Sequence, residues 1–230
     1  MALLARLRAL LSRPATASKV GMRRPTTAAP SDDAPREDAL RALLVEDPNN
    51  VTAFAALAEI VRRHAEGDDP VDPLTADHEH VTHRVSSDVA VWALAEELAG
   101  NPRAWYPLIE LGRLSLAEDH EGAMRRLAGA CEREHTGLAV AEGVRTLREA
   151  ALPGDGLGLG VGHWNPRDHI PEAGRQVVLA ALEAVRPLEA RRHLRELEEN
   201  ANNDEARAMV LDLQPRVAAA EAADAAPGAH

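Results

Sequence analysis

The chain is short of aromatic rings, cysteine and lysine, and each shortage removes a class of function. Of 230 residues only three are Trp, one is Tyr and one is Phe. So few rings cannot supply the stacked platforms on which single-stranded bases or sugars are held. The net charge of −11 points the same way, because neutralising phosphates requires a basic face. Nucleic acid is therefore excluded as a generic partner. Cys131 is the only cysteine, which rules out an intrachain disulfide and any Cys-x-x-Cys site and suits a reducing compartment. It falls within a helical pattern and reads as a buried core thiol rather than a reactive one. Lys19 is the only lysine, and it lacks the glycine-rich context of a phosphate-binding loop. P-loop chemistry and lysine Schiff bases in the folded part are excluded with it. No run approaches the ~20 apolar residues of a transmembrane helix.

What is present is alanine, leucine, valine and arginine. Apolar residues make up 45% of the chain, and a core of Ala, Leu and Val lets helices approach closely, so the expected class is all-α. The length accommodates one domain with tails. Arginine in place of lysine, with abundant alanine, is the composition of a high-GC, bacterial genome.

Charge is unevenly spread. Residues 1–31 hold six basic side chains and no acidic one, leaving −17 on the remainder. Within residues 1–13, Leu3, Leu4, Leu7, Leu10 and Leu11 share one helical face, with Arg6, Arg8 and Arg13 around it. Such a basic amphipathic helix suits an anionic membrane surface or a partner's groove; in a eukaryote it would read as a transit peptide. The plain alternative is a frayed end with no role. Residues 14–35, rich in Pro, Ala, Thr and Ser, read as a disordered linker.

The folded part is expected over residues 36–217, followed by a loose tail at 218–230. Its clearest unit runs from Glu172 to Asn203. Val177, Val178, Ala181, Leu182 and Val185 recur at helical spacing. Pro187 marks a break, and Ala190, Leu194 and Leu197 form the stripe of a second helix. Asp204 is placed to cap the helix after it. Elsewhere, Phe54, Leu57 and Ala58 follow Pro48, and Leu111-Gly112 follows Pro102, at matching offsets.

These offsets resemble the tetratricopeptide repeat (TPR), a helix-turn-helix unit of about 34 residues with small and large apolar residues at set positions. The likeness covers residues 36–65, 87–131 and 172–214. Gly174 departs from it, standing where an aromatic is common. The resemblance implies antiparallel hairpins stacked as a solenoid, whose first helices line a groove for a protein or peptide segment. Arg62, Arg113 and Arg175 are the groove candidates, for meeting carboxylates.

Two long loop inserts are expected outside the repeats, at 66–84 and 152–170, with the helical pattern resuming at Ser87. The first insert gathers His78, His80 and His83 with Asp77, a ligand set that would suit zinc or another first-row metal. However, Thr82 stands where the His-Glu-x-x-His motif requires its second histidine, and a solvated acidic loop is the plainer reading. The second insert alternates five glycines, at 154, 156, 158, 160 and 162, and then carries Trp164. Trp164 is expected to anchor the loop or to contact a partner. His163, Asp168 and His169 could form an acid–base set, but no nucleophile accompanies them.

The sequence therefore predicts a non-enzymatic interaction scaffold without cofactor, cytoplasmic or peripheral at a membrane. A metal-binding protein centred on the histidines and a membrane-surface adaptor using residues 1–13 are the alternatives.

Overall fold

The computed structural model describes residues 33–67 and 76–225, leaving aside the side chains of residues 66, 67 and 76–86. The basic segment 1–13, with Leu3, Arg6 and their neighbours, lies outside the described residues. Ten helices and no strands occur among those described: α1 (Ala34–Glu46), α2 (Val51–Gly67), α3 (Ala76–Ala99), α4 (Tyr106–Ser115), α5 (His120–Arg133), α6 (Leu138–Glu149), α7 (Pro153–His163), α8 (Pro171–Glu183), α9 (Pro187–Glu199) and α10 (Asp204–Asp224). The all-α expectation is met.

Each helix packs on the next, as short connections between antiparallel neighbours dictate. Alternate helices also touch: α4 meets α6, α6 meets α8, and α8 meets α10. Phe54 of α2 reaches Tyr106 of α4 edge-to-face, with ring centroids 5.4 Å apart. The second helices of successive pairs approach less; α5 and α7 are the pair in contact. The core is aliphatic, with Leu57, Ile60, Leu127, Val144, Leu147, Val177 and Leu213 all fully enclosed. Close approach is visible at Gly112, where a Cβ would stand 2.8 Å from Leu127 Cδ2. This is the Leu-Gly position singled out in the sequence.

Both expected inserts are shorter than the sequence suggested. The first gives way to α3 at Ala76, so Ser87 lies inside the helix rather than at its start. The second is largely helical: α7 spans all five alternating glycines. Each glycine lowers helix propensity by about 1 kcal/mol relative to Ala, which is why the stretch reads as loop. Tertiary packing overrides that preference. Leu157 and Leu159 are buried, and Gly160 lies so close to α8 that a Cβ would meet Val177 Cγ2 at 2.5 Å. Gly154, Gly158 and Gly162 face open space.

The turns α6–α7 and α8–α9 share one geometry. Leu152 N–H bonds the Leu147 carbonyl and Ala151 N–H that of Arg148; Arg186 and Val185 do the same to Ala181 and Leu182. These are Schellman closures, in which the first residue past the helix turns left-handed. The residues there are Ala151 (φ 59°) and Val185 (φ 57°) rather than glycine. Val185 is therefore not on the apolar face of α8, as its spacing suggested, but 80% exposed. Two further corrections concern α10. Its N-cap is Asn203, whose side chain accepts from Ala206 N–H, not Asp204. The helix also runs to Asp224, through part of the expected tail.

Candidate functional site

Arg113 and Arg175, expected to face a groove, lie on α4 and α8, two helices that each touch α6. Neither guanidinium is free. Arg113 pairs with Glu110 at 2.6 Å, and Glu110 also accepts from the Tyr106 hydroxyl at 3.0 Å. Arg175 pairs with Glu172 at 3.2 Å, and Glu172 accepts from Gln176 Nε2 at 2.6 Å. Gln176 in turn accepts from Arg148 of α6, which reaches Glu183 of α8 at 2.5 Å. Arg145 of α6 is held by Glu142 and Glu149. Side chains of α4, α6 and α8 thus form rows of paired charges, close to neutral as a whole. Arg62 lies on α2 without an ion pair among the described residues.

Trp164 leaves the end of α7 and lies over α8. A Cβ on Gly174 would meet its Cζ2 at 2.5 Å and Leu197 Cδ1 at 3.0 Å. The missing side chain at 174 is what lets the indole in. Its other neighbour is His193 of α9, edge-to-face with centroids 5.8 Å apart. His193 is buried, with Nδ1 3.0 Å from Glu196 Oε2. Trp164 also lines a cleft of about 190 Å³ with Arg167, His169, Asn200 and Asn203. The rest of this segment is tied to the turn before α6, where Ile170 N–H donates to the Thr136 carbonyl at 2.7 Å, and to itself. Asn165 Nδ2 donates to Asp168 at 2.5 Å, and Asn165 N–H donates to His169 Nδ1 at 3.3 Å. Asp168 and His169 are thus joined through Asn165 rather than forming an acid–base relay with His163.

The metal candidates Asp77, His78, His80 and His83 all fall on the first turns of α3, and their side chains are outside the described set. Among the residues whose side chains are described, no group of three His, Cys, Asp or Glu is placed to hold a metal. Nor is any described helix long and apolar enough to cross a membrane.

A cleft of about 420 Å³ has none of the expected residues in its lining. It opens beside α5, bounded by Arg125, Arg126, Glu132 and Arg133, with Leu108 of α4 and Gly129 within it. Two of the arginines reach toward α3. Arg126 stacks over the Trp92 ring, 4.9 Å from its centroid. One nitrogen of Arg133, Nη1, donates to the carbonyls of Ala99, Asn101 and Ala104 at 3.1, 3.2 and 2.8 Å. The sequence carries one signal for this grouping: Arg125, Gly129, Glu132 and Arg133 recur at helical spacing on one face. No motif marks it otherwise.

Five titratable groups are displaced from their ordinary values, one of them Arg145, which its hydrogen bond to Glu142 pushes up. Burial, with the charge of nearby Glu110 and its hydrogen bond, pushes the Tyr106 hydroxyl far up. Burial, aided by Glu134, pushes the Cys131 thiol up to about 12. Burial would raise Glu134, but hydrogen bonds from Thr136, Ala139 and Gly137 outweigh it and hold the carboxyl below its usual range. Burial holds His169 below its ordinary value, against the pull of Glu134 and Asp168. Glu134 caps the start of α6, accepting from Thr136 N–H at 2.7 Å and Ala139 N–H at 3.1 Å. No two of the five groups are joined by a hydrogen bond. Compared with known protein families, curated proteins and solved structures, the chain matches none.

Proposed function

We propose that this chain is a non-enzymatic interaction scaffold of TPR-like helical hairpins, binding a peptide or protein segment along the face formed by α4, α6 and α8. The observation that supports it is the contact pattern: consecutive helices pair, and alternate helices touch from α4 through α10. That pattern gives one layer of helices a continuous outer face, built for contact along its length rather than at a point. The charge rows on it, Glu110–Arg113, Glu142–Arg145 and Glu172–Arg175, ask for a partner offering both signs. Such a segment exchanges its own charges for the internal pairs without leaving a buried ion unpaired.

The test is capture from native lysate with three baits: the full chain, a chain lacking residues 1–31, and the double variant Arg113→Glu/Arg175→Glu. A partner kept without residues 1–31 and lost with the double variant supports this face. A partner lost with residues 1–31 and kept by the double variant would move the function to the N-terminal segment.

A further inference from the structure

The cleft beside α5 has a different character from the α4–α6–α8 face, and the inference drawn from it is independent of that face. In a chain of net charge −11, three arginines and one glutamate surround this single opening. We propose that it is a binding site for an acidic peptide segment, taking carboxylates on Arg125 and Arg133 and an apolar side chain against Leu108.

Three features support this. First, two of the three guanidiniums, those of Arg133 and Arg126, are held in place before any ligand arrives. Arg133 is fixed through Nη1 alone, and its Nε and Nη2 make no hydrogen bond among the described residues. Arg126 is held by Trp92, by Ser115 Oγ at 3.3 Å and by Asp119 at 3.7 Å. Pre-positioned forks lose little side-chain freedom on binding a carboxylate. Second, Arg125 pairs only with Glu121 one turn away, at 65% exposure. Such a surface pair contributes little to stability and exchanges readily for an incoming carboxylate.

Third, the floor between these arginines is open by virtue of Gly129. A Cβ there would meet only Leu108 Cδ1, at an ordinary 3.8 Å, so packing does not demand glycine. A glycine in a helix interior is a poorer helix former than alanine; what its presence secures here is an uncovered apolar floor. Glu132 brings the lining itself to +2, and Glu121 and Asp119, paired with Arg125 and Arg126 from outside it, lower the local charge further, which suits one-for-one exchange of carboxylates and disfavours a denser anion such as a phosphate cluster. Carboxylate next to an apolar side chain is the chemistry that fits both walls and floor.

The experiment is fluorescence anisotropy on the purified full chain, with a labelled Asp-Leu-Glu repeat peptide and its Lys-Leu-Lys counterpart as probes. Arg125→Glu reverses an exposed charge, and Gly129→Leu fills the floor. Arg207→Glu, on α10, is the charge-matched control, and melting temperature confirms that each variant is folded. The acidic peptide should bind, weaken by ~10-fold or more in either cleft variant, be unaffected by Arg207→Glu, and weaken as salt rises. Binding that survives both cleft variants, no binding of the acidic peptide, or equal binding of the basic peptide would each overturn the proposal. Displacement of the acidic peptide by inorganic phosphate at lower concentration than by free glutamate would reassign the cleft to phosphate.

Discussion

The indole of Trp164 occupies the space that a side chain at residue 174 would fill, its Cζ2 standing 2.5 Å from where a Cβ on Gly174 would be. An aromatic ring thus fills the space beside residue 174 from ten positions earlier in the chain, across the helix. Gly174→Ala should destabilise the protein by ~1–3 kcal/mol through overpacking, despite the better helix propensity of alanine. Trp164→Ala should cost ~1–3 kcal/mol less in the Gly174→Ala background than in the wild type, because removing the indole relieves the overpacking and the alanine fills part of the vacated space. A double-mutant cycle by urea unfolding measures this coupling. Additive single costs would mean that the two residues do not share that space.

A second long-range contact holds the start of α4. Asn49, in the turn between α1 and α2, accepts from Trp105 N–H at 2.7 Å and Tyr106 N–H at 3.0 Å. Its Nδ2 donates to the Arg103 carbonyl at 2.9 Å. It does for α4 what an N-cap residue does locally. Asn49→Ala should cost about 1–2 kcal/mol in urea unfolding, and Asn49→Asp, which keeps the acceptor, should cost less.

Val185 is a β-branched residue held at φ 57° and 80% exposed. The left-handed region costs ~1–2 kcal/mol for a residue with a Cβ, and little apolar burial offsets it here. Val185→Gly should therefore raise stability by ~0.5–1 kcal/mol after the greater unfolded-state freedom of glycine is counted. The melting temperature should rise. A fall would show that Val185 makes a contact worth more than its strain.

Glu134 provides a pH signature. Its folded-state pKa lies below the ordinary value, so its ionised form is favoured by folding. The stability it contributes is fully present above the unfolded carboxylate pKa, near 4.5, and is lost as pH falls through the lower folded value. Glu134→Gln should therefore lower stability at pH 7 by about 1–2 kcal/mol, the share carried by charge-assisted bonds to α6. The difference from wild type should shrink as pH drops below the unfolded value. A difference independent of pH would assign the loss to packing alone.

Cys131 should resist thiol reagents in the native state, since burial pushes its thiol up to about 12 and the thiolate is the reactive form. Stoichiometric labelling in denaturant and none in buffer is the expected result; rapid labelling in buffer would show that α5 opens locally.

The helices and their class were legible in the sequence because they rest on local periodicity. Val177, Val178, Ala181, Ala190, Leu194 and Leu197 are all buried where their spacing placed them, and Pro171 and Pro187 open α8 and α9. The failures share one cause, which is that neighbours in space overrode local preference. Five glycines made α7 look like a loop, yet α6 and α8 need close approach at Gly156 and Gly160 and stabilise the helix that provides it. Arg113 and Arg175 were identifiable as helix-surface cations, but not as already paired ones, because ion pairing depends on which carboxylates the fold leaves beside them. Likewise, Arg125, Arg126 and Arg133 become a cleft only once α3 and Leu108 are set against α5. By itself the sequence determined an all-helical chain of hairpins with an aliphatic core, since residue spacing and small side chains suffice for that. Only the tertiary structure decided which charges are spent on one another and which surround an opening, because that depends on distances between residues far apart in the chain.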